Sequence, residues 1–250
     1  MPGFGTLVLL RHGESVLNAE GRFTGLLDPP LTAEGRCEAE DAARLLAASG
    51  LHPTIVFTST LLRATETADI VARELGLAEE PVRLWQLNER NYGSLTGRSK
   101  AELWSEFGDE VLHFWRRTLY GTPPPMDQEA LGKLRNSPAL AGVPAGAVLA
   151  SESLCAVSKR VKEVWVRSLR PRLLRGETVL CVGHGNSLRA LCFLLDGLSE
   201  AEVEALNIPT GQPLVYRFDG WGLPFLRGGR YLNPLAARTA AEKVAAEGGT

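Results

Sequence analysis

Residues 178–187 read TVLCVGHGNS. Thr178–Gly183 is a near-continuous apolar run of strand length, without the alternation of a half-exposed strand. Such a run fits a strand buried on both faces, as in a parallel sheet covered by helices. It leads directly into His184-Gly185-Asn186-Ser187, and a helix is predicted from about Ser187 to Leu195. Residues 6–15, TLVLLRHGES, repeat the arrangement: a β-rich run, then Arg11-His12-Gly13. The chain has four histidines. Two of them, each followed by glycine, thus fall at the carboxyl ends of buried strands, where open parallel sheets bind ligands.

The same alternation of strand and helix continues outward. Residues 54–58 (TIVFT) form a third strand. Apolar residues at 61, 64, 68, 71 and 75 mark one face of the helix that follows, and Gly76 closes it. A helix over residues 32–49 is capped by Thr32, carries Glu34 in its first turn and ends at Gly50. Capping boxes are predicted at Ser99/Glu102 and at Ser199/Glu202. A helix over residues 154–169 is expected to stop at Pro171, and residues 214–219 (LVYRFD) read as one more strand. The predicted fold class is α/β, a three-layer arrangement with a mostly parallel sheet and helices on both faces. Residues 1–250 are read as a single domain. Two segments depart from the alternation. Residues 121–151, rich in Pro, Gly and Ala, are too long for a simple connection and read as a lid or mobile insertion. Residues 220–250 read as a C-terminal arm that frays or folds over a site.

Composition narrows the function classes. Hydrophobic residues make up 44% and charged residues 22%, with a formal net charge of −2. That balance argues against non-specific binding to nucleic acid or to an anionic membrane. An anion site must come from a local cluster of Arg and Lys. The four cysteines make no CxxC pair and no zinc-ligand spacing with histidine. Cys181 and Cys192, in apolar runs, read as buried thiols. The N-terminal stretch has neither a signal-peptide pattern nor transmembrane length, so a cytoplasmic location is expected.

The chemistry is carried by a small set of residues. An imidazole nitrogen can attack phosphorus and hold the phosphoryl group, which gives His12 a role as nucleophile. Arg11 offers a planar fork of donors for phosphate oxygens. Gly13 lets the backbone turn and approach a ligand. A helix starting just past Gly185 presents free N–H groups to an anion. Arg63 falls in the first turn of a helix, where a cation opposes the helix dipole, so an anion would account for its placement. Glu89 suits general acid and base work. Taken singly, His12 also reads as a loop histidine, Arg63 and Arg116-Arg117 as solvated arginines, and Glu89 as a solvated carboxylate. His52 and His113 read as structural or surface residues.

Together these residues resemble the cofactor-dependent phosphoglycerate mutases, a branch of the histidine phosphatase superfamily. The matching blocks, in order, are RHGESVLNAEGRFTG (11–25), LTAEG (31–35), TSTLLRATETA (58–68), LNERNYGSLTG (87–97), WRRTLYGTPPPM (115–126), ESL (152–154), GHGNSLRAL (183–191), LNIPTGQPLVY (206–216) and the tail at 230–249. The resemblance implies a phosphoglycerate mutase-like fold and interconversion of 3-phosphoglycerate and 2-phosphoglycerate in glycolysis and gluconeogenesis. It makes His12 the phosphohistidine, primed by 2,3-bisphosphoglycerate with no metal. Arg11, Asn18, Arg63 and His184 would bind the transferred phosphoryl group, and Glu89 would shuttle the proton. Ser15, Thr24, Gly25, Tyr92, Lys100, Arg116, Arg117, Gly185 and Asn186 would hold the remainder of the substrate. The expected partners are small phosphoglycerates, not nucleic acid or membrane. Homodimer and homotetramer are among the assemblies that the resemblance allows.

The chain departs from the family pattern at Leu17 and Leu26, where Trp is common, and at Asn91, where His is frequent. Arg98-Ser99 replaces Leu-Asn, and residues 121–151 match only at their ends. A histidine phosphatase acting on a small phosphorylated metabolite would share His12, Arg11, Arg63, Glu89 and His184. Lys100, Arg116-Arg117 and the PPPM run favour the mutase, which needs a second anion clamp and a lid. A catalytically silent scaffold on the same fold is disfavoured by the presence of His12, Glu89 and His184.

Overall fold

The computed structural model describes residues 4–246. The last four residues of the predicted C-terminal arm lie outside them. Among the described residues six strands form one sheet: β1 (Gly5–Arg11), β2 (Ile55–Thr58), β3 (Val82–Arg83), β4 (Thr178–Gly183), β5 (Leu214–Phe218) and β6 (Arg230–Tyr231). Their spatial order is β3-β2-β4-β1-β5-β6. The β3-β2-β4-β1 pairings are parallel, whereas β5 runs antiparallel to both β1 and β6. The two-residue strands β3 and β6 were too short to be read from periodicity.

Alternate residues of the central strands feed two separate cores, which makes the three layers. Leu7, Leu9, Phe57, Val179 and Cys181 pack with α6 (Leu154–Val164) and α8 (Gly185–Asp196) on one face. Val8, Leu10, Val56, Leu180 and Val182 pack on the other face with α2 (Ala33–Ala48) and α3 (Leu62–Glu74). Each fully buried Leu, Val or Ile side chain contributes about 1.5–3 kcal/mol relative to exposure. Cys181 and Cys192 are buried as expected, and burial pushes both thiols up to about 12.

Three local readings are corrected. The helix from Leu154 does not stop at Pro171. A π-helical turn, Trp165–Leu169, carries it into α7 (Arg170–Leu173), and the wider turn accommodates the proline ring without breaking the rod. α8 begins at Gly185, with His184 itself as the N-cap residue. At Ser99 only one half of the predicted box forms, with the Ser99 hydroxyl accepting from the Glu102 N–H. At Ser199 both halves form, capping α9 (Glu200–Ala205).

The remaining helices surround the carboxyl ends of the strands. A single turn, α1 (Val16–Ala19), follows β1. α4 (Lys100–Arg117) is kinked at Gly108, whose φ of 74° only glycine adopts readily. Residues 121–151 contain α5 (Gln128–Arg135) and two 3₁₀ turns. They pack Met126, Leu131, Leu134, Leu140 and Val148 against Leu26 and Leu61. This cluster accounts for Leu26, where the family commonly has Trp. α10 (Pro234–Ala246) forms the described part of the arm.

Candidate active site

Parallel pairing brings the two strand–His–Gly units together. Arg11 of β1 is in register with Gly183 of β4, so His12 and His184 are the next positions on adjacent strands. The His12 N–H donates to the Gly183 carbonyl at 3.0 Å, and the two imidazole centroids lie 4.9 Å apart. Thr58 of β2 pairs with Val182, which places Ser59 beside His184; Ser59 Oγ lies 2.7 Å from His184 Nε2.

His12 is oriented by two opposed contacts. Its Nδ1 lies 2.7 Å from the Gly13 carbonyl, which can only accept, so Nδ1 carries the proton. Its Nε2 accepts from Arg63 Nε at 3.2 Å. Burial, then the Arg63 and Arg11 guanidinium groups, hold the His12 pKa well below the usual histidine range. Burial followed by Arg63 does the same to His184. His12 therefore presents an unprotonated Nε2 inside a cationic setting.

Arg63 is fully enclosed, and its other nitrogens donate to the Leu27 and Gly25 carbonyls. Burial lowers its pKa to about 10, which leaves it charged at neutral pH. The cation placed against the helix dipole is thus held by loop carbonyls and by His12. Gly13 also meets a packing need. A Cβ on it would lie 2.0 Å from the Gly35 carbonyl oxygen, and a Cβ on Gly35 would lie 2.1 Å from that of Glu14.

His12 opens onto a cavity of about 140 Å³. Arg11, Asn18, Thr24, Gly25, Arg63, Glu89, Tyr92, Lys100 and Arg116 line it with His12. Glu89 is 7% exposed; its Oε1 accepts from the Arg90 N–H at 2.6 Å, and its Oε2 from the Asn186 N–H at 3.4 Å. Asn186 Nδ2 donates to the Tyr92 hydroxyl at 2.8 Å. Phe23 meets the Tyr92 ring edge-on and lies under the Arg116 guanidinium. The cavity wall is thus braced by contacts worth about 0.5–1 kcal/mol or more each.

Five predicted site residues do not line this cavity. His184, Gly185 and Asn186 adjoin it through His12 and Glu89. Ser15 caps α1, and its hydroxyl donates to Asn18 Oδ1 at 2.8 Å, orienting the asparagine. Arg117 donates to the Glu204 and Leu206 carbonyls instead. Successive helical residues point about 100° apart, so Arg116 and Arg117 serve different surroundings. His52 and His113 are exposed, as expected.

Sequence reasoning did not single out Glu14, Arg22, Glu38 or Thr210 as lining residues; Ala240, Lys243 and Val244 reach the lining from α10, in the arm expected to fray or fold over a site. Glu38 accepts from the Glu14 N–H at 2.7 Å and from the Thr210 hydroxyl at 2.8 Å, tying the loop after β1 to the loop before β5. Burial raises its pKa. The PTG stretch at 209–211 was a usable signal for Thr210, but no residue type on α2 singled out Glu38.

Fold and site define a class of protein, one equipped to carry a phosphoryl group on a histidine. The family model of the histidine phosphatase superfamily (branch 1) matches residues 7–227. A Thermobifida fusca protein named 2,3-bisphosphoglycerate-dependent phosphoglycerate mutase is 46% identical over 97% of this chain and 99% of its own. A protein of the same name from Nitratidesulfovibrio vulgaris is 46% identical, covering 97% and 98%. Among solved structures, Bacillus stearothermophilus YhfR aligns with a TM-score of 0.66 at 25% identity, covering 91% and 98%. The chain belongs to the histidine phosphatase superfamily and, within it, to the family of the 2,3-bisphosphoglycerate-dependent phosphoglycerate mutases. No described helix is long and apolar enough to cross a membrane.

Proposed function

We propose that this chain interconverts 3-phosphoglycerate and 2-phosphoglycerate through a phosphorylated His12. The observation that carries the reading is the unprotonated His12 Nε2 against Arg63, in a cavity that also holds Glu89, Lys100 and Arg116. Charged His12 gives its phosphoryl group to the free hydroxyl of the phosphoglycerate; its Nε2 then attacks the other phosphorus as the bond from that phosphorus to the substrate oxygen breaks. Arg11 and Arg63 neutralise charge on the equatorial oxygens. Glu89 accepts the proton of the hydroxyl that takes the phosphoryl group, then gives it to the oxygen that departs in the second transfer. Lys100, Arg116 and Tyr92 hold the non-reacting end of the glycerate.

The residues present fit 2,3-bisphosphoglycerate, the primer named for the relatives. Thr24 Oγ1, on the cavity wall, is buried without a hydrogen-bond partner among the described residues and is available to an anionic oxygen. When bound, the primer supplies the phosphoryl group that charges His12. Ala240, Lys243 and Val244 of α10 exclude water from the charged enzyme. The reading carries a cytoplasmic location with it, in keeping with the free thiols at Cys181 and Cys192.

The test is a product-resolved assay with 3-phosphoglycerate, with and without trace 2,3-bisphosphoglycerate. Primer-stimulated 2-phosphoglycerate with little free phosphate is expected. Free phosphate without isomerisation would replace the mutase with a phosphatase.

A further inference from the structure

Glu89 sits on residues 88–92, which form neither helix nor strand and follow the 3₁₀ turn Trp85–Leu87. His12, by contrast, follows directly from a strand whose register fixes it. An irregular segment cannot satisfy its own backbone groups, so partners from elsewhere must set its course.

Those partners converge on one side chain. Arg160 of α6 donates through Nη1 to the Gln86 carbonyl at 2.6 Å and the Asn88 carbonyl at 2.7 Å. Its Nη2 donates to the Glu89 carbonyl at 3.1 Å and to Glu152 Oε2 at 3.3 Å, and its Nε to Glu152 Oε1 at 3.1 Å. These five bonds use the full donor set of a guanidinium. Glu152 completes the clasp: its Oε2 accepts from the Asn91 N–H at 2.9 Å, and its own N–H donates to the Asn91 carbonyl at 2.9 Å. The two side chains are only 10% and 6% exposed. Asn91 extends the clasp by donating through Nδ2 to the Leu149 carbonyl at 2.7 Å.

We infer that Arg160, with Glu152 as its counter-ion, is the positioning residue for Glu89. It fixes the backbone on both sides of the carboxyl and ties it to the end of residues 121–151. A lysine keeps the charge but cannot reproduce a planar fork with five donors. The inference rests on the reading of Glu89 as the proton carrier, so its test separates that role from general damage.

The discriminating variable is the leaving group. Transfer from 2,3-bisphosphoglycerate to His12 expels an alkoxide that needs a proton. Transfer from p-nitrophenyl phosphate expels a phenolate that leaves without one. Rapid-quench rates of His12 phosphorylation would be measured with both donors in the full-length protein and in Arg160→Lys, Glu152→Gln and Glu89→Gln. General acid catalysis contributes about 10²–10⁴-fold. Arg160→Lys is therefore expected to slow transfer from 2,3-bisphosphoglycerate by about 30-fold and transfer from p-nitrophenyl phosphate by less than about threefold. Glu152→Gln, which preserves side-chain shape, should show a smaller contrast in the same direction, and Glu89→Gln a larger one. Equal losses with both donors, or no loss with either, in Arg160→Lys and Glu152→Gln would overturn the positioning role. Absence of the contrast in Glu89→Gln would instead overturn the proton-carrying role on which the inference rests.

Discussion

Lowering the pH from 7.5 to 5.5 should weaken the fold through His12 and His184 together. Both are buried, and desolvation followed by the nearby Arg63 holds each pKa well below the histidine range. In the unfolded chain each titrates near about 6.5. A depressed folded pKa means that stability is fully present above the unfolded value and is lost as pH falls below it. Only the unfolded state then gains protons. Each group that stays neutral in the fold costs about 1.36 kcal/mol per pH unit below about 6.5. From pH 7.5 to 5.5 this amounts to about 1.4 kcal/mol per histidine, or about 2.7 kcal/mol for the pair.

The assay is urea unfolding at both pH values, without phosphate, in the unsubstituted protein and in a His12→Gln/His184→Gln variant. The variant subtracts every other titrating group, including Glu38, whose raised pKa has the opposite sign. The unsubstituted protein should lose more than the variant, by up to about 2.7 kcal/mol. Equal losses would refute the placement of two neutral histidines among buried arginines. Inorganic phosphate, by offering an anion to the site, should reduce the acid loss in the unsubstituted protein alone.

Three further outcomes follow from the geometry. Gly13→Ala and Gly35→Ala each force a Cβ to about 2 Å from backbone oxygen, so either should cost about 1–3 kcal/mol in urea unfolding and lower kcat about 100-fold by displacing His12. Arg116→Ala should raise KM for 3-phosphoglycerate at least tenfold with little change in Tm, while Arg117→Ala should mainly destabilise, by about 1–3 kcal/mol, by leaving the Glu204 and Leu206 carbonyls short of donors; steady-state kinetics and thermal melts distinguish them. Ending the chain at Leu232 removes Ala240, Lys243 and Val244 from the cavity wall, so the share of turnover released as free phosphate should rise in the product-resolved assay.

The sequence made the layers and the position of His12 at a strand end legible because both depend on local patterns. A run such as Thr178–Gly183 announces a strand buried on both faces, and His-Gly at its end announces a strand terminus. What no pattern contains is register. That His12 and His184 become neighbours follows from Arg11 pairing with Gly183. Orientation about a helix was equally hidden: Arg116-Arg117 reads as one basic patch, yet only Arg116 faces the cavity. Glu38 and Lys243 carry no local signal of their own and reach the cavity only through the way α2 and α10 pack in the fold. Pro171 was misread because the compensating π turn has no sequence signature.

The site also resolves a tension in the composition. A chain of net charge −2 is a poor attractor for a phosphorylated acid. Among the described residues, six cationic and three carboxylate side chains line the cavity, so the local field has the opposite sign to the whole. Two of those carboxylates, Glu14 and Glu38, are engaged in bonds that tie loops together, while Glu89 takes only backbone N–H groups. His12 and Glu89 are then secured in different ways. His12 inherits its position from main-chain pairing. Glu89 depends on a guanidinium clasp assembled from α6 and the end of residues 121–151. Substitutions at that clasp should therefore alter proton delivery while leaving the nucleophile in place, a separation that a site built wholly on strand ends would not permit.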